Sequence, residues 1–262
     1  MLERSSNDSR SFVNWQLYVW VHNLCFTRRR EQKVDQRALR DRALTVGDKP
    51  SSLRLYRLVR GTVRKVLFPF LRLKSEGAEI LDLDGPAILA PVHRSHLDSV
   101  LVASLGERRQ RALGKESLFT TPGVGYVCAA LGALPVRRGT ADKEALLAAK
   151  MLLDRGESIF VFPEGGRQPE GPVKDLFDGA AWLSARTGAR VVPVGIAGTS
   201  AAMPEHAKML KRTPVAIVVG EPMPAVVGAD GGRAKREDMA RFTAELTVQL
   251  QAAQDRAIAL LD

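Results

Sequence analysis

Five short apolar runs in the last two thirds of the chain constrain its fold more than any other feature. They lie at 86–92, 130–136, 158–163, 189–197 and 214–220. Glycine or proline bounds each run, and stretches with helical spacing of apolar residues separate them. Near-continuous apolar strands that alternate with helices are typical of a mostly parallel sheet. We therefore predict a single α/β domain with a mainly parallel or mixed central sheet, covered by helices on both faces.

The positive charge of the chain is concentrated near its N-terminus. The formal net charge is +10 over 262 residues. Residues 1–76 contain 17 Lys or Arg and 7 Asp or Glu, which leaves 22 of each sign for residues 77–262. The basic part alone therefore predicts an anionic partner, such as a membrane surface, a nucleic acid or an acidic substrate.

Residues 1–50 are predicted to form an N-terminal appendage, partly disordered and with one short apolar helix. The apolar stretch at 12–26 is shorter than the ~20 residues that cross a bilayer, and polar side chains interrupt it. It is followed by no small-residue cleavage site, so a signal peptide is not expected. We predict a helix that lies on a membrane or is half-inserted into it.

Residues 51–76 are predicted to form a basic amphipathic helix at a membrane interface. The apolar side chains that gather on one side of this helix are Leu55, Leu58, Val59, Val63, Val66 and Leu67. Several basic side chains occupy the other side. This pattern is typical of a helix on an anionic membrane, and equally of a surface helix that packs on the core with a solvated charged face. No nucleic-acid partner is expected, because no helix-turn-helix, RNP or zinc pattern accompanies the charge.

Cysteine and histidine are too few to suggest a metal centre or a disulfide framework. Cys25 and Cys128 are not part of any CxxC motif or Cys/His cluster, and the chain has 4 histidines. We therefore predict no metal and no cofactor, and a reducing compartment. Residues 77–262 are assigned to the α/β domain.

The stretch HRSHLD, at 93–98, has a histidine and a carboxylate after the first apolar run. On a regular helix, two side chains that are five residues apart point about 140° away from each other. His93 and Asp98 therefore meet only if His93 lies in a turn and Asp98 in the first turn of a helix. Ser95 can cap such a helix and place Asp98 at its third position. Taken alone, the pair is explained as well by a capping acid and a turn histidine.

Three later stretches complete a pattern that resembles the HxxxxD glycerolipid acyltransferases. LGALPVRRG at 131–139 resembles their second block, VFPEGGR at 161–167 their FPEGTR block, and VVPVGIAG at 191–198 a fourth block built around a proline. The blocks occur in the family's order, and the resemblance covers about residues 55–222. It is most specific for the PlsC-type 1-acylglycerol-3-phosphate acyltransferases. One departure is Gly166, where that family usually has Thr.

The resemblance implies transfer of a fatty acyl group from acyl-CoA or acyl carrier protein to the free hydroxyl of 1-acylglycerol-3-phosphate, forming phosphatidic acid for phospholipid biosynthesis. Such a transfer needs a base that takes the proton of a weakly acidic hydroxyl, and imidazole suits this role. His93 is therefore the predicted general base, and Asp98 the residue that orients its ring. The thioester is a co-substrate. No enzyme nucleophile is required because the attacking hydroxyl belongs to the substrate, and no GxSxG elbow is present to supply one.

The same resemblance assigns the acceptor site to the later blocks. The predicted substrate-binding residues are Arg137, Arg138, Glu164, Gly165, Arg167 and Pro193. One of the adjacent arginines, together with Arg167, would bind the phosphate of the acceptor. Glu164 would bind a glycerol hydroxyl or organise the backbone of its own loop. A surface position is predicted for His96.

We expect this enzyme at the cytoplasmic face of the cell membrane, held peripherally or half-inserted through its N-terminal segment. Its partners would be the anionic membrane surface, lysophosphatidic acid and the acyl thioester. Two alternatives remain open. One is the same reaction on another lysophospholipid or a glycolipid, and the other is a non-catalytic, membrane-bound lipid-binding protein.

Overall fold

The structure is a computed structural model that describes residues 35–121, 123–136, 143–204, 207, 209–228 and 231–262. Within these ranges seven strands form one sheet, in the order β1-β7-β6-β2-β5-β3-β4. The strands are β1 (Lys74–Glu76), β2 (Ala87–Pro91), β3 (Gln110–Lys115), β4 (Ala133–Val136), β5 (Ser158–Phe160), β6 (Arg190–Ala197) and β7 (Ala216–Val219). Neighbouring strands are parallel except β6 and β7. The sheet is therefore mixed, and the predicted α/β class is confirmed.

Helices pack on both faces of this sheet. They are α1 (Gln36–Gly47), α2 (Pro50–Thr62), α3 (Phe68–Phe70), α4 (Leu97–Leu105), α5 (Glu116–Phe119), α6 (Val124–Ala130), α7 (Lys143–Asp154), α8 (Gly179–Thr187), α9 (Thr199–Ala202) and α10 (Arg236–Ala259). Because strand side chains alternate, Ile88 lies in one buried apolar cluster and Leu89 in another. None of these described helices combines the length and the apolar character needed to cross a membrane.

Five strands coincide with the predicted apolar runs, whereas β1 and β3 were not predicted. β3 begins with Gln110 and Arg111, which are both buried, so its first residues lack an apolar pattern. Arg111 can be buried because its guanidinium bonds Glu157 and Asp48. β1 has only three residues, and it is recognised through its pairing with β7.

The predicted boundary at residue 77 does not coincide with a boundary in the structure. β1 precedes it and belongs to the sheet. Ala43 and Val46 of α1 are buried in the same apolar cluster as Ile88. Residues 36–76 therefore pack as part of the α/β fold. The apolar helix predicted at 12–26 lies outside the described residues.

The apolar side predicted for residues 51–76 does not pack as a whole on the core. Leu58 and Val66, predicted on one apolar side, are 68% and 64% exposed. Arg64, expected among solvated cations, instead donates to the carbonyl oxygens of Ser104 at 2.6 Å and Leu105 at 2.7 Å. The last carbonyls of a helix lack intrahelical donors and attract cations. A π-helical turn at Val63–Leu67 also shifts the phase of the side chains that follow α2.

Candidate active site

His93 lies just beyond the carboxyl end of β2. The N–H of Val92 donates to the carbonyl of Val194 in β6 at 3.0 Å, so the sheet still holds the residue before His93. The chain then turns, and α4 begins at Leu97. Binding and catalytic groups gather at this end of parallel α/β sheets. The fold therefore places His93 where such a sheet usually carries its chemistry.

The helix after this turn begins one residue later than predicted, so Asp98 is its second residue and not its third. The predicted capping contacts are nevertheless present. Ser95 Oγ accepts from the N–H of Leu97 at 3.4 Å, and the N–H of Ser95 donates to Asp98 Oδ2 at 2.7 Å. Because the same oxygen also accepts from the N–H of Arg94, the backbone bends around the carboxylate before it becomes helical.

One carboxylate oxygen organises the whole turn. Asp98 Oδ2 lies 3.0 Å from His93 Nδ1 and accepts the N–H groups of Arg94 and Ser95, each at 2.7 Å. An oxygen that accepts two backbone N–H groups is an acceptor in this network, so Nδ1 carries the proton and donates to it. His93 Nε2 is then the nitrogen with the lone pair that a base requires.

The imidazole of His93 is also held from its face. The ring of Phe162 stacks on it, with ring centroids 3.8 Å apart and an angle of 19° between the planes. Phe162 follows β5, and the N–H of Val161 donates to the carbonyl of Leu89 at 2.9 Å. Phe160 packs edge-on against Phe162 at 5.6 Å. The ring plane of His93 is thus fixed by one hydrogen bond and one aromatic contact.

The loop after Phe162 forms hydrogen bonds with both the N–H and the carbonyl of His93. Glu164 Oε2 accepts the N–H of His93 at 2.8 Å. The N–H of Gln168 donates to the carbonyl of His93 at 2.8 Å. Arg94 Nη1 lies 2.7 Å and 2.9 Å from the two carboxylate oxygens of Glu164. Glu164 therefore points inward, and its contacts organise the backbone of the turn.

The other residues predicted for the acceptor site fall into three groups. Arg137 and Arg138 lie outside the described residues. Arg167 is half-buried, at the end of the loop that contacts His93. Pro193 lies inside the sheet, where its carbonyl accepts the N–H of Gly220 at 2.9 Å. Its predicted part in substrate binding stays a prediction.

The glycines of this loop differ in what they require. Gly165 has a φ of +69°, which strains any residue that has a Cβ, and a Cβ there would also displace the exposed ring of Phe177, 2.6 Å away. Gly166, where the family usually has Thr, has open space around its Cβ position. His96 is exposed, as predicted.

Two contacts to His93 were not predicted from the sequence. Arg94 lies between the residues singled out in HRSHLD, yet its side chain is buried against Glu164. Phe162 belongs to VFPEGGR, but its contact with the imidazole depends on the pairing of β5 with β2. The sequence contains no clear signal for Arg94, because an arginine in a turn requires a carboxylate partner only when it is buried. Within the described ranges, no cluster of three or more His, Cys, Asp or Glu side chains could hold a metal ion.

Comparison with known proteins gives matches along the same part of the chain. The family model described as Acyltransferase matches residues 72–197. A chloroplastic 1-acyl-sn-glycerol-3-phosphate acyltransferase of Arabidopsis thaliana is 31% identical over 60% of this chain and 45% of its own length. The chain thus spans about half the length of this relative. A 1-acyl-sn-glycerol-3-phosphate acyltransferase of Salmonella typhimurium is 27% identical over 74% of this chain and 79% of its own.

A solved structure has the same fold. It is the 1-acyl-sn-glycerophosphate acyltransferase PlsC of Thermotoga maritima, with a TM-score of 0.64 and 22% identity. The match covers 94% of this chain and 95% of that one. At this level of identity the similarity is one of fold.

Proposed function

We propose that this chain, which belongs to the acyltransferase family of PlsC-type 1-acylglycerol-3-phosphate acyltransferases, transfers a fatty acyl group from a thioester to the hydroxyl of 1-acylglycerol-3-phosphate. The product is phosphatidic acid. One observation carries the proposal most directly. His93 Nδ1 lies 3.0 Å from Asp98 Oδ2, in a turn at the carboxyl ends of the strands. A histidine oriented in this way can deprotonate an alcohol.

The reaction follows from the orientation of the ring. His93 Nε2 takes the proton of the acceptor hydroxyl as its oxygen attacks the thioester carbonyl. The imidazolium that forms is stabilised by the ionised Asp98. When the tetrahedral intermediate collapses, the C–S bond breaks and the imidazolium returns its proton to the leaving thiolate. General-base assistance of this kind typically contributes about 10²- to 10⁴-fold in rate.

Binding of the acceptor phosphate is assigned to Arg167, together with Arg137 or Arg138. The position of Arg167 supports this assignment, because its loop is bonded to the backbone of His93 through Gln168. A guanidinium there can form paired hydrogen bonds with phosphate oxygens. The donor is proposed to be acyl-CoA or the thioester of acyl carrier protein.

An anionic membrane is the proposed location, at the cytoplasmic face. The surface of α2 and the turn after it supports this, since Leu58 and Val66 are exposed beside the exposed cations Arg57 and Lys65. Exposed apolar side chains among cations are typical of helices that bind anionic lipid surfaces. The wild-type protein should bind vesicles that contain anionic lipid more strongly than neutral vesicles.

Vesicle binding tests this surface directly. The variant Leu58→Ser/Val66→Ser should bind anionic vesicles less strongly, because it loses apolar side chains that would enter the lipid. Val248→Ser is a matched control, because Val248 is 66% exposed on α10. Equal loss of binding in both variants, or none in the double variant, would refute the assignment.

Transfer activity is tested with labelled acyl-CoA and acyl carrier protein against a panel of lysophospholipid and glycolipid acceptors. We expect the highest activity with 1-acylglycerol-3-phosphate, and a loss of about 10³-fold or more in His93→Ala. His96→Ala is the matched control and should keep nearly full activity. Preference for another acceptor would support the alternative substrate, and no transfer with any acceptor would favour a lipid-binding protein.

A further inference from the structure

Arg94 has no role in the proposed reaction, although its side chain is one of the most buried charges near His93. The side chains of Arg94 and Glu164 are 3% and 1% exposed. Besides its two contacts with Glu164, Arg94 Nη1 lies 3.3 Å from the carbonyl of His93, and Nη2 lies 3.4 Å from the carbonyl of Gly171. The guanidinium therefore joins the turn after β2 to the loop after β5.

The backbone and the side chain of Arg94 act on different parts of the same site. Its N–H donates to Asp98 Oδ2, the oxygen that also contacts His93 Nδ1. Its guanidinium neutralises Glu164, which accepts the N–H of His93. A change of the side chain thus leaves the contact with Asp98 available and removes only the link to the neighbouring loop.

The negative charge of the buried Glu164 is compensated by Arg94. An ionised carboxylate that is shielded from water is strongly unfavourable unless a cation and hydrogen bonds compensate it. Without Arg94, the buried carboxylate of Glu164 would lose its cation and turn towards water. The N–H of His93 would then lose a charged acceptor, and the peptide that carries the imidazole would become mobile.

We infer that Arg94 is a positioning residue for His93, and that it acts through its buried ion pair with Glu164. The burial of both side chains separates this role from phosphate binding, which requires a cation that the acceptor can reach. The inference rests on the proposed acyl transfer, since it concerns the same base. It assigns to Glu164 a role in geometry in place of a contact with the acceptor.

Steady-state kinetics with acyl-CoA and 1-acylglycerol-3-phosphate test the inference. Arg94→Met keeps much of the aliphatic length and removes the charge. We expect kcat to fall about 100-fold, which is the scale of loss for a misplaced catalytic group, while each KM changes less than about threefold. Arg94→Lys restores a cation but not the planar guanidinium. Its kcat should therefore be about tenfold higher than that of Arg94→Met.

A second pair of variants tests whether the two residues act together. If they do, Glu164→Gln lowers kcat, and adding it to Arg94→Met changes kcat by less than about threefold. Fully multiplicative losses would overturn the inference, and so would a loss confined to the KM of the acceptor. Arg111→Met is the matched control, because it removes another buried arginine that lies away from His93.

Proton NMR separates this inference from the proposed function. The hydrogen-bonded proton on His93 Nδ1 should give a downfield resonance that is absent in His93→Ala. We expect this resonance to broaden or disappear in Arg94→Met and to persist in Arg111→Met. An unchanged resonance in folded Arg94→Met would overturn the positioning role. If the wild-type protein transfers no acyl group, the proposed function fails while the resonance still reports on the role of Arg94.

Discussion

Arg94 and Arg111 are buried at opposite ends of the same sheet, and their partners differ in exposure. Arg94 follows the carboxyl end of β2 and pairs with Glu164, whose side chain is 1% exposed. Arg111 lies near the amino end of β3, where it bonds Glu157 and Asp48. The side chains of these two acids are 28% and 44% exposed. Water can therefore stabilise the acids around Arg111, but it cannot reach Glu164.

The difference in exposure separates two uses of a buried cation. The pair at Arg94 is enclosed and bonded to the backbone of His93, so it fixes the position of a reactive group. The pairs at Arg111 connect β3 to the residue before β5 and to Asp48, which lies between α1 and α2. They attach the first two helices to the sheet. An enclosed pair thus determines local geometry, and a partly solvated pair joins elements.

Arg109 strengthens the connection at the Arg111 end. Its guanidinium donates to the carbonyls of Gly47 at 2.8 Å and Ala130 at 3.0 Å, and it lies 5.6 Å from the ring centre of Tyr56. Burial lowers the pKa of Arg109 to about 10, so it remains charged at neutral pH. Burial raises the pKa of the Tyr56 hydroxyl, because it disfavours the charged form in both residues. At this end of the sheet Arg109 therefore bonds carbonyls at the ends of α1 and α6, and Arg111 bonds carboxylates.

The largest effect on stability is expected at the enclosed pair. Glu164→Leu leaves Arg94 charged and buried without its carboxylate partner, so the free energy of unfolding should fall by about 3–5 kcal/mol. Urea unfolding followed by circular dichroism measures the change. A loss below about 1 kcal/mol would mean that water enters this site and would remove the contrast with Arg111.

Arg111→Met should have a smaller effect on stability, of about 2–3 kcal/mol. The two carboxylates that it leaves behind can turn to water, and the methionine fills part of the space. The same urea experiment gives the difference from Glu164→Leu, and kcat should stay near that of the wild type. A loss of kcat comparable to that in Arg94→Met would show that the two ends do not have separate roles.

Arg167→Ala should weaken binding of the acceptor much more than binding of the acyl donor. The KM for 1-acylglycerol-3-phosphate should rise about tenfold, corresponding to about 1.4 kcal/mol, because a charge-assisted contact with phosphate is lost. The KM for the acyl donor should remain unchanged. Equal increases for both substrates would indicate a structural role like that of Arg94.

The ion pairs of the exposed Glu107 with Arg60 and Arg64 should have the smallest effect on stability, and this effect should depend on pH. The side-chain hydrogen bond from Arg64 is the main cause that lowers the pKa of Glu107 below its ordinary value of 4.5. Stabilisation from a lowered carboxyl pKa is present above that ordinary value and is lost as pH falls through the folded-state pKa. Thermal unfolding of wild type and Glu107→Gln should differ slightly at neutral pH and converge in acid. A difference that grows in acid would contradict this sign.

The sequence predicted the strands that are mostly apolar and missed β1 and β3. β2 and β7 are apolar along their length, and only the first residues of β5 and β6, Ser158 and Arg190, are polar, so local composition identified these strands. β3 was missed because Gln110 and Arg111 are buried only with the help of partners from other elements. For the same reason Arg64 was expected among solvated cations, since the carbonyls that it bonds belong to α4.

For the active site, the sequence by itself determined the two residues of HRSHLD that meet. The spacing, the strand end and the capping serine are local features that allow His93 to meet Asp98, and the resemblance to the HxxxxD acyltransferases selected this pair as base and orienter. Only the tertiary structure decided what holds that pair. Glu164 is 71 residues from His93 and 70 from Arg94 along the chain, and Phe162 reaches the imidazole only because β5 pairs with β2. A buried ion pair is specified by the position of both partners, and local sequence contains the position of only one.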